Sequence, residues 1–357
     1  MGWRTGVLLT RIVSESEGCC GVAELPDFLR YNRPMRVLLV KLSSMGDVLH
    51  NLPVASDLAR AYPGIEIDWV TEAPYAALVA LHPSVRRAIP MHLRDLKKRW
   101  WSPRAWRIFL DDKARLGGRT YDTVLDTQGL VKSAFIARWA RGSVAGFSRE
   151  TAREPLAARG YDRTIDVPRN LHAVARNRRL AAGVFGYELD DAVDYGLRLP
   201  PGAPATPAAR PYVVFLHATS RADKMWPDAH WIALGQRLHD RGLGVVLPWG
   251  NADEKLASER LAAAIPAAFV PTKLSLLDAA ALLAGACAAI GVDTGLAHLS
   301  VALSRPTLGL YLTTSPALTG LYGSRFAVNL GGGSKQQPVV PSVDDAWRAL
   351  DALLAPT

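Results

Sequence analysis

Three polar loops hold the residues most able to do chemistry. The first follows the apolar run Val37-Leu-Leu-Val40 and reads Lys41-Leu-Ser-Ser-Met-Gly-Asp47 before a helical pattern begins. Its carboxylate is Asp47, beside Gly46 and close to Ser43 and Ser44. A carboxylate placed there could take a proton as a general base. It could equally cap the helix that follows, accepting from free backbone N–H groups. The second loop, Asp293-Thr294-Gly295, lies between a buried strand and a helix start. Free N–H groups and the helix dipole favour an anion there, typically a phosphate, and Gly295 permits close approach of backbone to ligand. An ordinary capping turn is the plainer reading. The third loop, His217-Ala-Thr-Ser-Arg-Ala-Asp-Lys-Met-Trp-Pro227, supplies Thr219 and Lys224. A cation near a helix N-terminus can hold a diphosphate. Trp249, after the next strand, could stack on a base or simply be packed.

These loops need a scaffold of strands. Residues 37–40 suit one fully buried strand, and Leu49, Leu52, Ala55 and Leu58 continue as one helix starting near Val48. Strands are expected at 65–70, 85–89 and 121–126, with helices at 76–81, 130–139 and 171–185. Residues 146–153 read as a polar loop. The stretch 199–207 holds four prolines in nine residues and marks a domain boundary. Beyond it the alternation restarts, with strands at 212–216, 244–247, 288–292 and 307–311. Helices fall between them at 229–240, 257–264 and 276–283, and a terminal helix at 343–354. Two restarts of alternating strand and helix mean an α/β chain of two doubly wound, Rossmann-like domains. Such domains face each other across a central cleft. Asp47 stands on one wall, with Thr219, Lys224 and Asp293 on the other. No internal sequence repeat accompanies the two halves. The domains are 35–200, 208–341 and a terminal helix in 342–357. Residues 1–34 lack periodicity and read as a disordered extension or one preceding the true start at Met35.

Composition narrows the class. The chain of 357 residues is 49% hydrophobic, carries a net charge of +9 and has three cysteines. No apolar run reaches the roughly 18 residues of a spanning helix. Cys19, Cys20 and Cys287 make no disulfide framework, which fits a reducing compartment. The charge is uneven: residues 1–200 hold 30 Lys/Arg against 22 Asp/Glu, and 201–357 hold 12 against 11. A positive field of this kind attracts nucleic acid, an anionic membrane surface or an anionic substrate, unless it is only a solvated surface. The stretch His92-Leu-Arg-Asp-Leu-Lys-Lys-Arg-Trp-Trp101 is the densest case. It is either a mobile arm gripping anions or a solvated face over two packed tryptophans. There is no Gly-x-Gly-x-x-Gly and no P-loop, against an ordinary dehydrogenase or kinase. There is no Asp-x-Asp flanked by apolar residues either, so a metal-clamped diphosphate is disfavoured.

Six ordered motifs then carry a resemblance: Lys-Leu-Ser-Ser-Met-Gly-Asp-Val-Leu-His, Asp-Thr-Gln-Gly-Leu-Val-Lys-Ser-Ala, Thr-Ala-Arg-Glu-Pro-Leu-Ala, Phe-Leu-His-Ala-Thr-Ser-Arg-Ala-Asp-Lys-Met-Trp-Pro, Leu-Pro-Trp-Gly and Val-Asp-Thr-Gly-Leu-Ala-His-Leu. Together, from Met35 to about Gly323, they resemble the lipopolysaccharide heptosyltransferase I group of glycosyltransferase family 9. The resemblance implies a GT-B fold, an ADP-heptose donor, Kdo-lipid A as acceptor and inversion at the anomeric carbon. It implies no metal and no further cofactor, and a peripheral site of action on the cytoplasmic face of the inner membrane. By motif, Asp47 resembles the general base, and Lys224 with Thr219 and Ser220 the phosphate-binding loop, where relatives often carry Thr at the Ser220 position. Trp249 and Leu274 match positions around adenine, with Leu274 in place of a Met. Glu254 matches a ribose contact. Asp293, Thr294, Gly295 and His298 match the diphosphate and sugar site. Arg94, Lys97, Lys98 and Arg138 fall where the acceptor is met.

The implied chemistry needs one carboxylate. Asp47 takes the proton of the acceptor hydroxyl, and ADP leaves with Lys224 and the N–H groups near Thr294 taking up its charge. An inverting glycosidase needs an acid as well. A heptosyltransferase II, adding heptose to heptose, is the nearest alternative, and the Thr-Ala-Arg-Glu-Pro-Leu-Ala loop and the basic arm favour the first transferase. A nucleic-acid-binding module, which pI 9.6 permits, would need interleaved aromatic and basic residues along a groove. Only Trp100, Trp101 and Trp106 offer that, so no nucleic acid is expected as partner.

Overall fold

Six parallel strands make the first sheet: β1 (Arg36–Val40), β2 (Glu66–Glu72), β3 (Val85–Met91), β4 (Thr120–Asp126), β5 (Arg141–Phe147) and β6 (Arg163–Ile165). Six more make the second: β7 (Tyr212–Leu216), β8 (Gly244–Val246), β9 (Ala268–Phe269), β10 (Ala288–Val292), β11 (Thr307–Tyr311) and β12 (Ala327–Gly331). The computed structural model describes residues 33–200, 210–219 and 221–355. The extension read at 1–34 and the proline-rich boundary thus lie almost wholly outside the described residues.

The strand orders are β3-β2-β1-β4-β5-β6 and β12-β11-β10-β7-β8-β9. Counted from its own first strand, each sheet has the same order. In each the chain steps outward twice, then returns to the other side of the first strand. The switch points therefore lie between β1 and β4 and between β7 and β10, where a doubly wound sheet opens a crevice beyond its strand ends. The two halves share this topology without sharing sequence. Because helices cover both faces, the central strands carry apolar residues continuously rather than alternately. Val37 to Val40 of β1 and all of β7 and β10 are buried. The helix Val343–Leu354 buries Ala346 and Leu350 in the core of the second sheet.

Several elements differ from their sequence expectation. The helix expected from Val48 is two helices, Met45–Leu49 and Leu52–Ala61. Pro53 lies in the first turn of the second, and its missing N–H cannot bond back to Leu49. Helix Pro103–Gly117 was not anticipated, because its many Arg and Lys residues mask the apolar stripe. β5 was not expected as a strand, and it takes in the first two residues of the loop expected at 146–153. Two glycines lower its strand propensity, yet it pairs with β4 through Gly146. β6, β9 and β12 are too short or too weakly apolar to stand out.

Candidate functional site

The two switch points meet. Helix Met45–Leu49 follows β1, helix Gly295–Ala302 follows β10, and a Cβ on Gly295 would come within 2.3 Å of Met45 Cε. Glycine at 295 thus leaves room for the Met45 side chain of the opposite half. A Cβ on Gly46 would sit 3.4 Å from the His298 ring. Between the halves lies a cavity of about 470 Å³, lined by Ser44, Met45, Gly46, Asp47, His50, Tyr75, Arg153, Thr219, Lys224, Asp293, Thr294, Gly295, His298 and Thr319. Asp47 and Lys224, separated by 177 residues in sequence, share it.

Asp47 sits in the first turn of its helix, not at the N-cap. Its Oδ2 accepts from the backbone N–H of Ser44 at 2.9 Å and from the Ser44 hydroxyl at 3.1 Å. Arg153 Nη1 lies 3.7 Å from the same oxygen. Among the described residues every hydrogen bond and ion pair of this carboxylate falls on Oδ2. One oxygen therefore caps the turn, and Oδ1 carries none of these contacts.

The loop beneath Asp47 is braced from β4. Gln128 accepts from Leu42 N–H at 2.7 Å and donates to Ser43 C=O at 2.9 Å. The Lys41 ammonium donates to Thr127 C=O at 2.6 Å and to Asn177 Oδ1 at 3.3 Å. Burial lowers the Lys41 pKa to about 8, with Asp47 and Asp126 acting the other way. Buried Asp126 fixes the bracing loop. It accepts from Gln128 N–H, the Ser133 hydroxyl and the Tyr161 hydroxyl at 2.7–2.8 Å. The motif Asp-Thr-Gln-Gly thus orients the segment that carries Asp47.

On the opposite wall Lys224 Nζ donates to Asp293 Oδ2 at 2.5 Å, and the Thr314 hydroxyl donates to that oxygen at 3.0 Å. Thr219 donates its hydroxyl to the Asp293 carbonyl at 3.2 Å. Asp293 thus fixes the position of the Lys224 ammonium. Thr294 is the N-cap of the next helix, in extended backbone and with no side-chain cap hydrogen bond. Ser220 lies outside the described residues. His298 is buried, with Nδ1 3.2 Å from His50 Nε2. Burial lowers its pKa to about 4, so the imidazole facing the cavity is neutral at pH 7.

A second pocket of about 360 Å³ adjoins the first, sharing Met45, Thr219 and Thr294 with it. Trp249, Leu274, Glu254, Pro248 and Leu276 line it. The Trp249 indole is fixed by donating to Pro271 C=O at 2.8 Å. Glu254 accepts from Gly250 N–H and the Asn251 amide, both at 2.7 Å, so it also braces the start of helix Ala252–Ala264. A flat indole and aliphatic walls with a carboxylate at the rim suit a purine nucleoside.

The basic residues divide. The Arg94 guanidinium lies 5.5 Å from the centre of the Tyr75 ring, and Tyr75 lines the cavity between the halves. Lys97 and Lys98 are exposed in the last turn of helix Leu93–Lys98. Arg138 makes a two-point ion pair with Asp162 at 2.8–2.9 Å and is not among the cavity-lining residues. Trp100 and Trp101, expected as packed in one reading, are 66% and 68% exposed. Arg153, read only as part of the polar loop 146–153, and Tyr75 also line the cavity. The Thr-Ala-Arg-Glu-Pro motif was the available signal for Arg153, whereas Tyr75 had none.

Residues 112–344 match the family model described as glycosyltransferase family 9 (heptosyltransferase). Lipopolysaccharide heptosyltransferase 1 of Pseudomonas aeruginosa is 49% identical over 302 residues, 83% of this chain and 84% of that protein. Lipopolysaccharide heptosyltransferase 2 of Escherichia coli is 25% identical, over 80% of this chain and 85% of its own length. The solved structure of E. coli heptosyltransferase WaaC with ADP-2-deoxy-2-fluoro heptose matches with a TM-score of 0.79 and 38% identity. It covers 89% of this chain and 99% of that one. The two facing doubly wound sheets are thus the GT-B fold. By sequence, by fold and by the paired switch points, the chain belongs to glycosyltransferase family 9, the heptosyltransferases.

Proposed function

We propose that this heptosyltransferase moves heptose from ADP-heptose to the Kdo of Kdo-lipid A, with inversion, in the assembly of the lipopolysaccharide inner core. The carrying observation is the shared cavity: a carboxylate on one wall, a lysine and a helix N-terminus on the other, and a nucleoside-shaped pocket opening beside the lysine. Identity of 49% to a type 1 relative against 25% to a type 2 relative supports the first-heptose reaction over heptose-to-heptose transfer.

Adenine lies against Trp249 and Leu274, with the ribose toward Glu254. The diphosphate then reaches Lys224, Thr219 and the N–H groups at the start of helix Gly295–Ala302. These groups hold it and stabilise the charge that grows on ADP as the glycosidic bond breaks. The heptose projects into the cavity toward His298 and Asp47. Asp47 Oδ1 accepts the proton of the acceptor hydroxyl as that oxygen attacks the anomeric carbon from the face opposite ADP. Arg153 and Arg94, with Lys97 and Lys98 farther out, meet the carboxylates of Kdo and the phosphates of lipid A. Arg138 contributes only to the field, since Asp162 occupies its fork. Residues 35–200 form the acceptor half and 208–341 the donor half, with the terminal helix packed on the latter. The acceptor is lipid-anchored, so the work is done at the cytoplasmic face of the inner membrane.

Incubation with ADP-heptose and Kdo-lipid A, read by product mass, tests the proposal. A gain of one heptosyl residue on Kdo-lipid A is expected. Transfer only to an acceptor that already bears heptose would overturn it.

A further inference from the structure

One side of the acceptor half exposes aromatic residues that the transfer reaction does not use. Trp100 and Trp101 stand edge to face with centroids 6.1 Å apart. The Trp106 indole donates to Trp100 C=O at 2.7 Å. From Trp106 the contacts continue to Phe109 at 5.8 Å, from Phe109 to Trp139 at 5.1 Å and from Trp139 to Phe135 at 5.2 Å. This single line of six rings runs over helices Leu93–Lys98, Pro103–Gly117 and Val131–Ala137 and the turns beside them. Phe135 is 61% exposed, and Leu110, one helical turn from Trp106, is 57% exposed. Phe109 and Trp139 are half-buried within the line, and the exposed Trp100, Trp101, Trp106, Leu110 and Phe135 make an apolar patch of the kind that marks an interaction site.

The charge around the rings identifies the partner. Residues 92–119 hold nine Lys/Arg against three Asp/Glu. Of those acids Asp112 is buried against His92 and Arg115, leaving Asp95 and Asp111 exposed. Arg99, Arg104 and Arg107 are exposed beside the tryptophans, and Lys113 lies over the Trp139 ring at 5.9 Å. Exposed Trp and Phe with interleaved Lys and Arg are what the headgroup region of an anionic bilayer accepts. The patch also continues into the site, because helix Leu93–Lys98 carries Arg94, which lies over the cavity residue Tyr75.

We propose that this surface docks the chain on an anionic lipid bilayer. Trp100, Trp101, Trp106, Leu110 and Phe135 enter the headgroup region, and Arg99, Arg104 and Arg107 pair with lipid phosphates. The inference rests on the proposed lipid-anchored acceptor and names the surface that brings the cavity to it. Among the described residues no helix is long and apolar enough to cross a membrane, and a docked face of this kind needs none.

Vesicle sedimentation without any acceptor separates lipid binding from binding of lipid A. The full chain is mixed with vesicles of phosphatidylcholine alone or of phosphatidylcholine with phosphatidylglycerol. The parent is expected to bind the anionic vesicles, less so in high salt. The triple variant Trp100→Ser, Trp101→Ser, Phe135→Ser should lose binding at least roughly tenfold. Arg104→Gln with Arg107→Gln should lose roughly fivefold per cation. Both variants should match the parent on a water-soluble, deacylated Kdo acceptor. Equal vesicle binding by parent and both variants would overturn the proposal. So would a parent that self-associates in solution through this face, with the triple variant monomeric. If no chain transfers heptose to the soluble acceptor, the transfer reading fails while the vesicle result still decides the docking surface.

Discussion

His50 Nε2 lies 3.2 Å from His298 Nδ1, joining the helix after β1 to the helix after β10. The rings stand edge to face at 4.5 Å, and His172 packs 5.4 Å from His50 while its Nε2 faces Gly320 C=O. Three buried imidazoles thus sit where the halves meet. Burial pushes the pKa of His298 and of His172 down to about 4, and that of His50 well below its ordinary value. In the unfolded chain each takes up a proton near pH 6.5. Between that pH and about 4 the unfolded state binds more protons, so stability falls as pH falls through this window. Tm should drop between pH 6.5 and 4, by on the order of several degrees. Replacing His50 with Gln should flatten the drop. A parent with constant Tm across this window would contradict the neutral cluster.

Gln128 should matter to turnover more than to donor binding. Truncation to Ala strands the buried Leu42 N–H and Ser43 C=O, at a cost of about 1–3 kcal/mol. It also frees the segment that aims Asp47. Gln128→Ala should lower kcat while leaving ADP affinity by calorimetry near the parent value, and Gln128→Glu, which keeps only the acceptor half of the brace, should recover part of it. Loss of ADP affinity equal to the loss of kcat would point to general unfolding of the site.

Lys224→Ala should weaken donor binding by roughly 10- to 100-fold, the worth of one or two charge-assisted hydrogen bonds, and slow transfer with it. The variant leaves Asp293 without its cation, so the carboxylate repels the diphosphate as well. Adding Asp293→Asn should restore some ADP affinity. An unchanged ADP affinity in Lys224→Ala would place the diphosphate elsewhere.

Neutralising Arg94, Lys97 and Lys98 together should raise KM for the Kdo acceptor and leave KM for ADP-heptose nearly unchanged. Added salt should weaken acceptor use more in the parent than in the variant, because screening removes the same attraction. Identical salt curves would remove these three cations from the acceptor site.

Much of the site was legible because its residues sit in loops between strongly apolar strands. Asp47, Lys224 and Asp293 each follow a strand that is buried throughout or nearly so, and loops at strand ends are where doubly wound sheets bind. Composition hid other features. Gln128 stands two residues past β4, and only the parallel pairing of β1 with β4 brings its amide to Leu42 and Ser43. Gly295 was read as making room for a ligand, and its neighbour across the cleft is Met45, 250 positions away, which no local pattern reports. Trp100 and Trp101 were read either as part of a mobile basic arm or as packed beneath a solvated face, and no local pattern decides between the two; both are exposed. The repeated strand order of the two sheets left no trace in sequence, since topology constrains burial rather than identity.

The role of Asp47 is the centre of the mechanism, and Asp47→Asn isolates it. Asparagine can still accept from Ser44 through its amide oxygen and keep the turn, but it cannot take a proton near pH 7. Single-turnover transfer from ADP-heptose to Kdo-lipid A, with ADP affinity measured in parallel, separates chemistry from binding. ADP affinity should be unchanged and the transfer rate should fall by about 10²–10⁴-fold, the usual worth of a general base. A transfer rate near that of the parent would leave Asp47 as a cap and the base unidentified.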